Sequence, residues 1–288
     1  MHFHHFSNHH DSGKLGFIAL TLIGSLDQKL HYLEYNQDHN ELTEPIVRRR
    51  IRYNPPFERP EFAGSCNGLV CLSLPSYIVP FLIFNPIIRE CVELPFIEID
   101  CEKIDREDKR KFYCASGFGY VSSTDEYKVV EVLHKTKFYY VYIYTLGSGN
   151  GWRKLGTFDQ KSADIWSEGT YANECVYWRR SKSLLVMTFD LAAETFRDHL
   201  SPPSLSSEGY WHRIGVLDGV LFFAVEIYVS GVGGCYDVWL LRKKNNKHDE
   251  IEQGAHQSWV WSKDMIKGLR MGACKFITRL LLSVAVSI

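Results

Sequence analysis

The chain has 288 residues with 33 Lys and Arg against 34 Asp and Glu, a formal net charge of −1, and it is rich in Tyr (16) and Phe (17) but has only 4 Met. That balance excludes the basic excess with which nucleic-acid binders neutralise phosphates. Aromatic, Met-poor composition favours pleated strands over a helical bundle, and a single all-β unit of more than about 200 residues is ordinary.

In chain order, the first ten residues hold five histidines and no basic stub followed by an apolar core. No secretory leader is readable there, so the expected location is the cytoplasm or nucleus, with the 8 cysteines free. A His tract alone is only a compositional hint, and no C-x-x-C pair occurs, so neither a metal site nor a cofactor is expected. Alternating apolar runs then predict strands at Phe17–Ile23, Leu30–Tyr35, Leu69–Leu74, Ile78–Phe84, Tyr127–His134, Phe138–Tyr144, Cys175–Trp178, Leu184–Phe189, Val220–Val225 and Val238–Arg242. Asn67-Gly68 and Asp218-Gly219 mark tight turns before apolar runs. Gly147-Ser148-Gly149-Asn150-Gly151 looks like a phosphate loop but lacks a following helix, and reads as a hairpin turn. The basic runs Arg48–Arg52 and Arg242–Lys247 suit either solvated strand and loop surfaces or import and phosphate patches. Ser262–Leu269 is a candidate short helix, and the apolar end Leu280–Ile288 is far shorter than the ~20 residues of a membrane-spanning helix.

Turn residues expected before strands, Gly16, Gly68, Gly119, Asn173 and Gly219, recur at spacings of 52, 51, 54 and 46 residues. A companion pattern repeats with them. Phe84-Asn85-Pro86 leads through Arg89-Glu90 to Leu94-Pro95, and Phe189-Asp190 leads through Glu194-Thr195-Phe196 to Leu200-Ser201-Pro202. A small antiparallel sheet cannot cover both of its own faces, and radial stacking of such sheets is the propeller solution. A period near 50 residues lies in the kelch range. The predicted fold is therefore all-β: a propeller-like, kelch-like stack of about five antiparallel units, the last one cut short after Trp261.

Several blocks occur in the order in which they resemble the F-box-associated interaction domain of plant F-box proteins. They are Gly64-Ser65-Cys66-Asn67-Gly68-Leu69; Asn85-Pro86 with Leu94-Pro95; Phe118-Gly119-Tyr120 with Asp125 and Tyr127-Lys128-Val129-Val130; and Tyr142-Ile143-Tyr144 leading to Trp152-Arg153. Tyr177-Trp178, Phe189-Asp190 with Glu194, Leu217-Asp218-Gly219, Asp237-Val238-Trp239 and Ser258-Trp259 continue the series. The resemblance implies a propeller at 64–261 that captures a target protein for a cullin-RING ubiquitin ligase, with no catalysis of its own. It does not extend to docking on the ligase adaptor. Residues 1–63 read as a segment with a strand hairpin and lack the leucine-rich helical pattern of an F-box, and 262–288 read as a diverged tail. Trp166, Tyr210 and Trp211 fall between predicted strands and are the candidate target contacts, since loop aromatics make favoured anchors; capping the blade stack is the alternative for them. A carbohydrate-binding or enzymatic propeller would need convergent polar groups at the channel mouth. A degenerate chain would lack cooperative unfolding.

Overall fold

The computed structural model describes residues 14–23, 27–36, 46–50, 61–73, 81–86, 88, 90–98, 113–135, 138–159, 169–180, 185–201, 212–217, 219–229, 233–243 and 259–264. Every regular element among them is a strand. β1 (Lys14–Ile23), β2 (Asp27–Asn36) and β3 (Ile46–Arg50) form a three-stranded antiparallel sheet. Four antiparallel meanders of four strands follow. Blade 1 comprises β4 (Glu61–Cys66), β5 (Leu69–Ser73), β6 (Leu82–Asn85) and β7 (Glu90–Glu93). Blade 2 comprises β8 (Tyr113–Val121), β9 (Glu126–Lys135), β10 (Phe138–Thr145) and β11 (Trp152–Asp159). Blade 3 comprises β12 (Thr170–Ala172), β13 (Cys175–Arg179), β14 (Val186–Asp190) and β15 (Thr195–Leu200), and blade 4 comprises β16 (His212–Leu217), β17 (Val220–Val229), β18 (Gly233–Lys243) and β19 (Trp259–Asp264).

Within each blade the strands pair in chain order, which leaves the first strand at one edge. Those first strands meet from blade to blade: β4 against β8, β8 against β12, and β12 against β16. The side-chain period of two then sends alternate residues to opposite neighbours. In β13, Val176 and Trp178 pack with Val130, Val132, Val141 and Ile143 of blade 2, whereas Cys175 and Tyr177 pack with Leu221, Phe223 and Trp239 of blade 4. Blade 2 does the same, burying Phe118 and Val129 against Cys71 and Ile83 of blade 1. Each large side chain so buried contributes about 1.5–3 kcal/mol, and Trp178, Phe84, Phe118, Phe189 and Phe223 are all fully buried.

Close approach of the first strands dictates their composition. A Cβ on Gly117 would lie 2.4 Å from Val176 Cγ1, and one on Gly119 would lie 2.2 Å from the Tyr171 ring, so only glycine lets β8 sit this near blade 3. Gly119 is therefore a strand residue and not the turn residue expected before a strand, and Gly16 likewise falls inside β1. The other three positions of that series are turns, with φ of 75° at Gly68, 50° at Asn173 and 73° at Gly219.

The companion pattern is real at the level of hydrogen bonds. Asn85 Oδ1 accepts from the Ile88 amide at 3.3 Å, and Asp190 Oδ1 accepts from the Ala192 and Ala193 amides at 2.8 Å, so both side chains close the turn after the third strand. Pro86 occupies the first turn. The following exits match as well. Trp152 Nε1 donates to the Pro95 carbonyl at 2.7 Å and Trp261 Nε1 to the Ser201 carbonyl at 2.8 Å, each a link from one blade to the residue after the exit leucine of the preceding blade.

Two expectations need correction. Ser262–Asp264 belong to β19, where Trp261 pairs with Leu241 and Lys263 with Trp239; cross-strand pairing with β18 overrides the weak helical periodicity, while 265–269 lie outside the described residues. Blade 4 consequently has all four strands, and the three-stranded sheet is the first, not the last. Arg48–Arg50 lie on β3 and Arg242–Lys243 close β18, while the remainder of both basic runs, the His tract and 280–288 fall outside the described residues.

Candidate partner-binding surface

Several motif residues at or beside the hairpin turns make polar links between blades. Lys128, at the start of β9 and only 5% exposed, crosses to blade 3, where its Nζ donates to the Leu191 carbonyl at 3.1 Å and to Glu194 Oε1 at 2.9 Å. Arg153 of β11 reaches the same Glu194 oxygen at 2.7 Å. Burial would push the Glu194 carboxyl up, but the hydrogen bonds and charges of Arg153 and Lys128 hold it below the usual carboxylate range. Three residues separated by up to 66 positions thus share one cluster. Asp190 behaves alike: burial opposes its charge, yet the Ala193 amide and the Arg197 guanidinium, which also bonds Oδ2 at 2.9 Å through Nε, keep it ionised.

Nearer the first strands, Ser122 binds Glu174 through its amide at 2.8 Å and through its hydroxyl. The Tyr171 hydroxyl donates to the Tyr120 carbonyl at 2.7 Å, and Tyr120 donates to Asp125 at 2.8 Å. Tyr127 stacks on Phe118 at 5.8 Å and accepts from Asn67 Nδ2 at 3.3 Å, joining blade 2 to the Gly68 turn of blade 1. Trp178 Nε1 donates to the Ser116 carbonyl at 2.9 Å. In blade 4, Trp239 is buried under the Lys263 ammonium, 5.3 Å from the ring centre, and half-buried Trp259 packs on the core shared with blade 3. Tyr127, Lys128, Arg153, Tyr171, Glu174, Trp178 and Glu194 thus join neighbouring blades.

Three of the thiols are buried in the blade cores. Burial pushes Cys66 up to about 12 and Cys175 up to about 11, and Cys71 is held well above its ordinary value, so all three pack as small apolar groups. Cys91 and Cys114 are exposed. Among the described residues no group of three or more His, Cys, Asp or Glu is placed to hold a metal, and no helix is long and apolar enough to cross a membrane.

Trp166, Tyr210 and Trp211 lie outside the described residues. In chain order Trp166 falls between β11 and β12, and Tyr210 and Trp211 between β15 and β16; the starts of β12 and β16 lie at the opposite ends of those strands from the turns at 173–174 and 219. Two features escaped the sequence reading. Phe96 is 61% exposed beside an open cleft of about 400 Å³ lined by Pro95, Tyr142, Asn150, Trp152 and Lys154. Glu131 is buried, and its signal was readable as a lone charge in Val129-Val130-Glu131-Val132-Leu133.

The sequence profile of the F-box associated beta propeller domain matches residues 19–218. Among curated relatives, an F-box protein of Arabidopsis thaliana (At3g07870) is 26% identical over 241 residues, covering 74% of this chain and 54% of its own length. An Arabidopsis thaliana F-box/kelch-repeat protein (At3g23880) is 27% identical over 191 residues, and the Arabidopsis thaliana F-box protein CPR1 is 27% identical over 213; each match covers 64% of this chain and 49% of the relative. The chain thus spans about half the length of these relatives. A solved structure, a hypothetical selenium-binding protein from Sulfolobus tokodaii, overlaps at a TM-score of 0.36 and 10% identity, covering 87% of this chain and 60% of its own, which is too remote to carry an argument. With some 200 of 288 residues matched and four stacked meanders beneath the motifs, the chain belongs to the F-box-associated β-propeller family.

Proposed function

We propose that the chain is a non-catalytic target-recognition module, acting in the cytoplasm or nucleus, that captures a protein for a cullin-RING ubiquitin ligase through the connections between its blades. Family membership, with relatives that are F-box proteins, supports the recognition role. The observation that carries the choice of surface is the engagement of Glu174 and Glu194 in the hairpin turns, and of Tyr127, Lys128 and Arg153 beside them, in joining blades, which favours the opposite end of the strands for contact with a ligand. Trp166, Tyr210 and Trp211 are assigned there as the aromatic anchors, because such side chains cover much area at low entropic cost. Docking on the ligase adaptor forms no part of this assignment.

Affinity purification with mass spectrometry tests it, comparing the wild type with the triple variant W166A/Y210A/W211A. A specific partner whose recovery drops about tenfold, equivalent to about 1.4 kcal/mol, at unchanged thermal unfolding is the expected result. Equal recovery would overturn the contact assignment. Saturable binding of a glycan with no protein partner would overturn the protein-binding reading itself.

A further inference from the structure

Glu131 sits in the middle of β9, turned with Val129 and Leu133 toward blade 1, and is 5% exposed. Its cross-strand neighbours on that face are Ser116 of β8 and the buried Tyr142 of β10. Ser116 Oγ donates to Oε2 at 2.6 Å, and the Cys114 side chain is a second hydrogen-bonding partner. From blade 1 it is faced by the thiol of Cys71 on β5, which is wholly buried. The titratable groups around it are thus Cys71, Cys114 and Tyr142, and among the described residues no Lys or Arg pairs with it.

An ionised carboxylate so placed has a hydroxyl and a thiol to solvate it and no countercharge among the described residues, so the low-dielectric surroundings favour its protonated form. Burial accordingly pushes the Glu131 acid up to about 7, partly offset by the Ser116 and Cys114 hydrogen bonds. We infer that Glu131 is a proton-operated lock on the junction between blades 1 and 2: the junction is tight while the carboxyl keeps its proton and loosens when the carboxyl ionises and must be hydrated.

Linkage fixes the sign and the window. Exposed by opening, the carboxyl returns to an ordinary value of 4.5, so between there and about 7 the closed form holds more protons than the open one. Opening therefore increases with pH across that window, by at most about tenfold per pH unit, and levels off above it. The lock reaches the surface through Tyr142, which also lines the cleft beside Phe96. It touches blade 3 through Ser116, whose carbonyl accepts from Trp178 Nε1 and from the Gly169 amide at 2.8 Å.

Hydrogen exchange of the full chain between pH 5 and 8, corrected for intrinsic rates, tests this. Protection of β4 and β5 should fall between pH 5 and 7 by about tenfold or more, and Glu131→Gln should abolish the dependence while keeping the amide in place. The same pH profile in wild type and E131Q would overturn the lock. Should E131Q fail to fold, infrared titration of the wild type decides: a buried carboxylic acid band persisting at pH 6 and fading in step with β4–β5 protection supports the lock, and either its absence at pH 6 or pH-independent protection contradicts it.

Discussion

The junction between blades 2 and 3 and the junction between blades 3 and 4 bury similar aromatic cores but are finished differently. Between blades 2 and 3, Trp178, Phe189 and the valines of β9 are overlaid with charged and polar links: Lys128 and Arg153 on Glu194, Ser122 on Glu174, Tyr171 on Tyr120, Trp178 on Ser116. Between blades 3 and 4, Tyr177, Phe223, Trp239 and Trp261 form the core, and polar links there run from Arg179 to the His212 carbonyl at 3.1 Å and from Trp261 to Ser201. Apolar burial supplies cohesion at both. What the first junction adds is spacing: β8 carries glycine where blade 3 arrives, and hydrogen bonds hold the separation that the missing side chains would otherwise set. A buried lysine is tolerable there because its partners are fixed by a turn and a second cation.

That contrast can be broken in graded steps. Trp178→Ala should cost about 3–5 kcal/mol, since it opens a large void at a fully buried site; denaturant unfolding measures it. Lys128→Met should cost about 1.5–3 kcal/mol by removing charge-assisted hydrogen bonds. It should also weaken the response of the midpoint to salt, whereas the aromatic junction should show little such response. Gly119→Ala should cost about 1–3 kcal/mol through overpacking against Tyr171, and a neutral result would mean that the blades are not this close. Trp152→Phe and Trp261→Phe should each lose about 1 kcal/mol, one hydrogen bond's worth. Equal losses would establish them as the same device at two junctions, and a marked inequality would dissolve the repeat.

The smallest effect at neutral pH is at His212. This side chain is buried, stacked on Phe223 at 5.6 Å, and its Nε2 has no hydrogen-bond partner among the described residues. Burial and the nearby Arg179 charge lower it from 6.5 to about 4. The folded state thus takes up that proton later than the unfolded chain, so stability is intact above about pH 6.5 and falls as the pH drops toward 4. His212→Gln should flatten this acid-side loss in pH-dependent melts. The sign is opposite to that at Glu131, so acid tightens one junction and weakens another.

Much of this architecture was legible because second and third strands carry alternating Val, Ile, Phe and Tyr, as in β9 and β10. The first strands were not legible as strands. β4 reads EFAGSC and β8 contains Ser116-Gly117-Phe118-Gly119, where glycine admits the neighbouring chain, and β12, Thr170–Ala172, is too short to show an alternation. Gly119 accordingly looked like a turn. Individual site residues were visible as motifs, but nothing in spacing said that Lys128, Arg153 and Glu194 converge; only the stacking of blade 2 on blade 3 brings them together.

In the proposed function a target protein is gripped by the connections between blades while the hairpin turns hold the stack. Hydrogen exchange of the chain with and without its captured target tests this most directly. New protection at 160–169 and 201–211, with 122–125, 146–151 and 191–194 unchanged, is the expected result. Protection confined to those hairpin turns would contradict it.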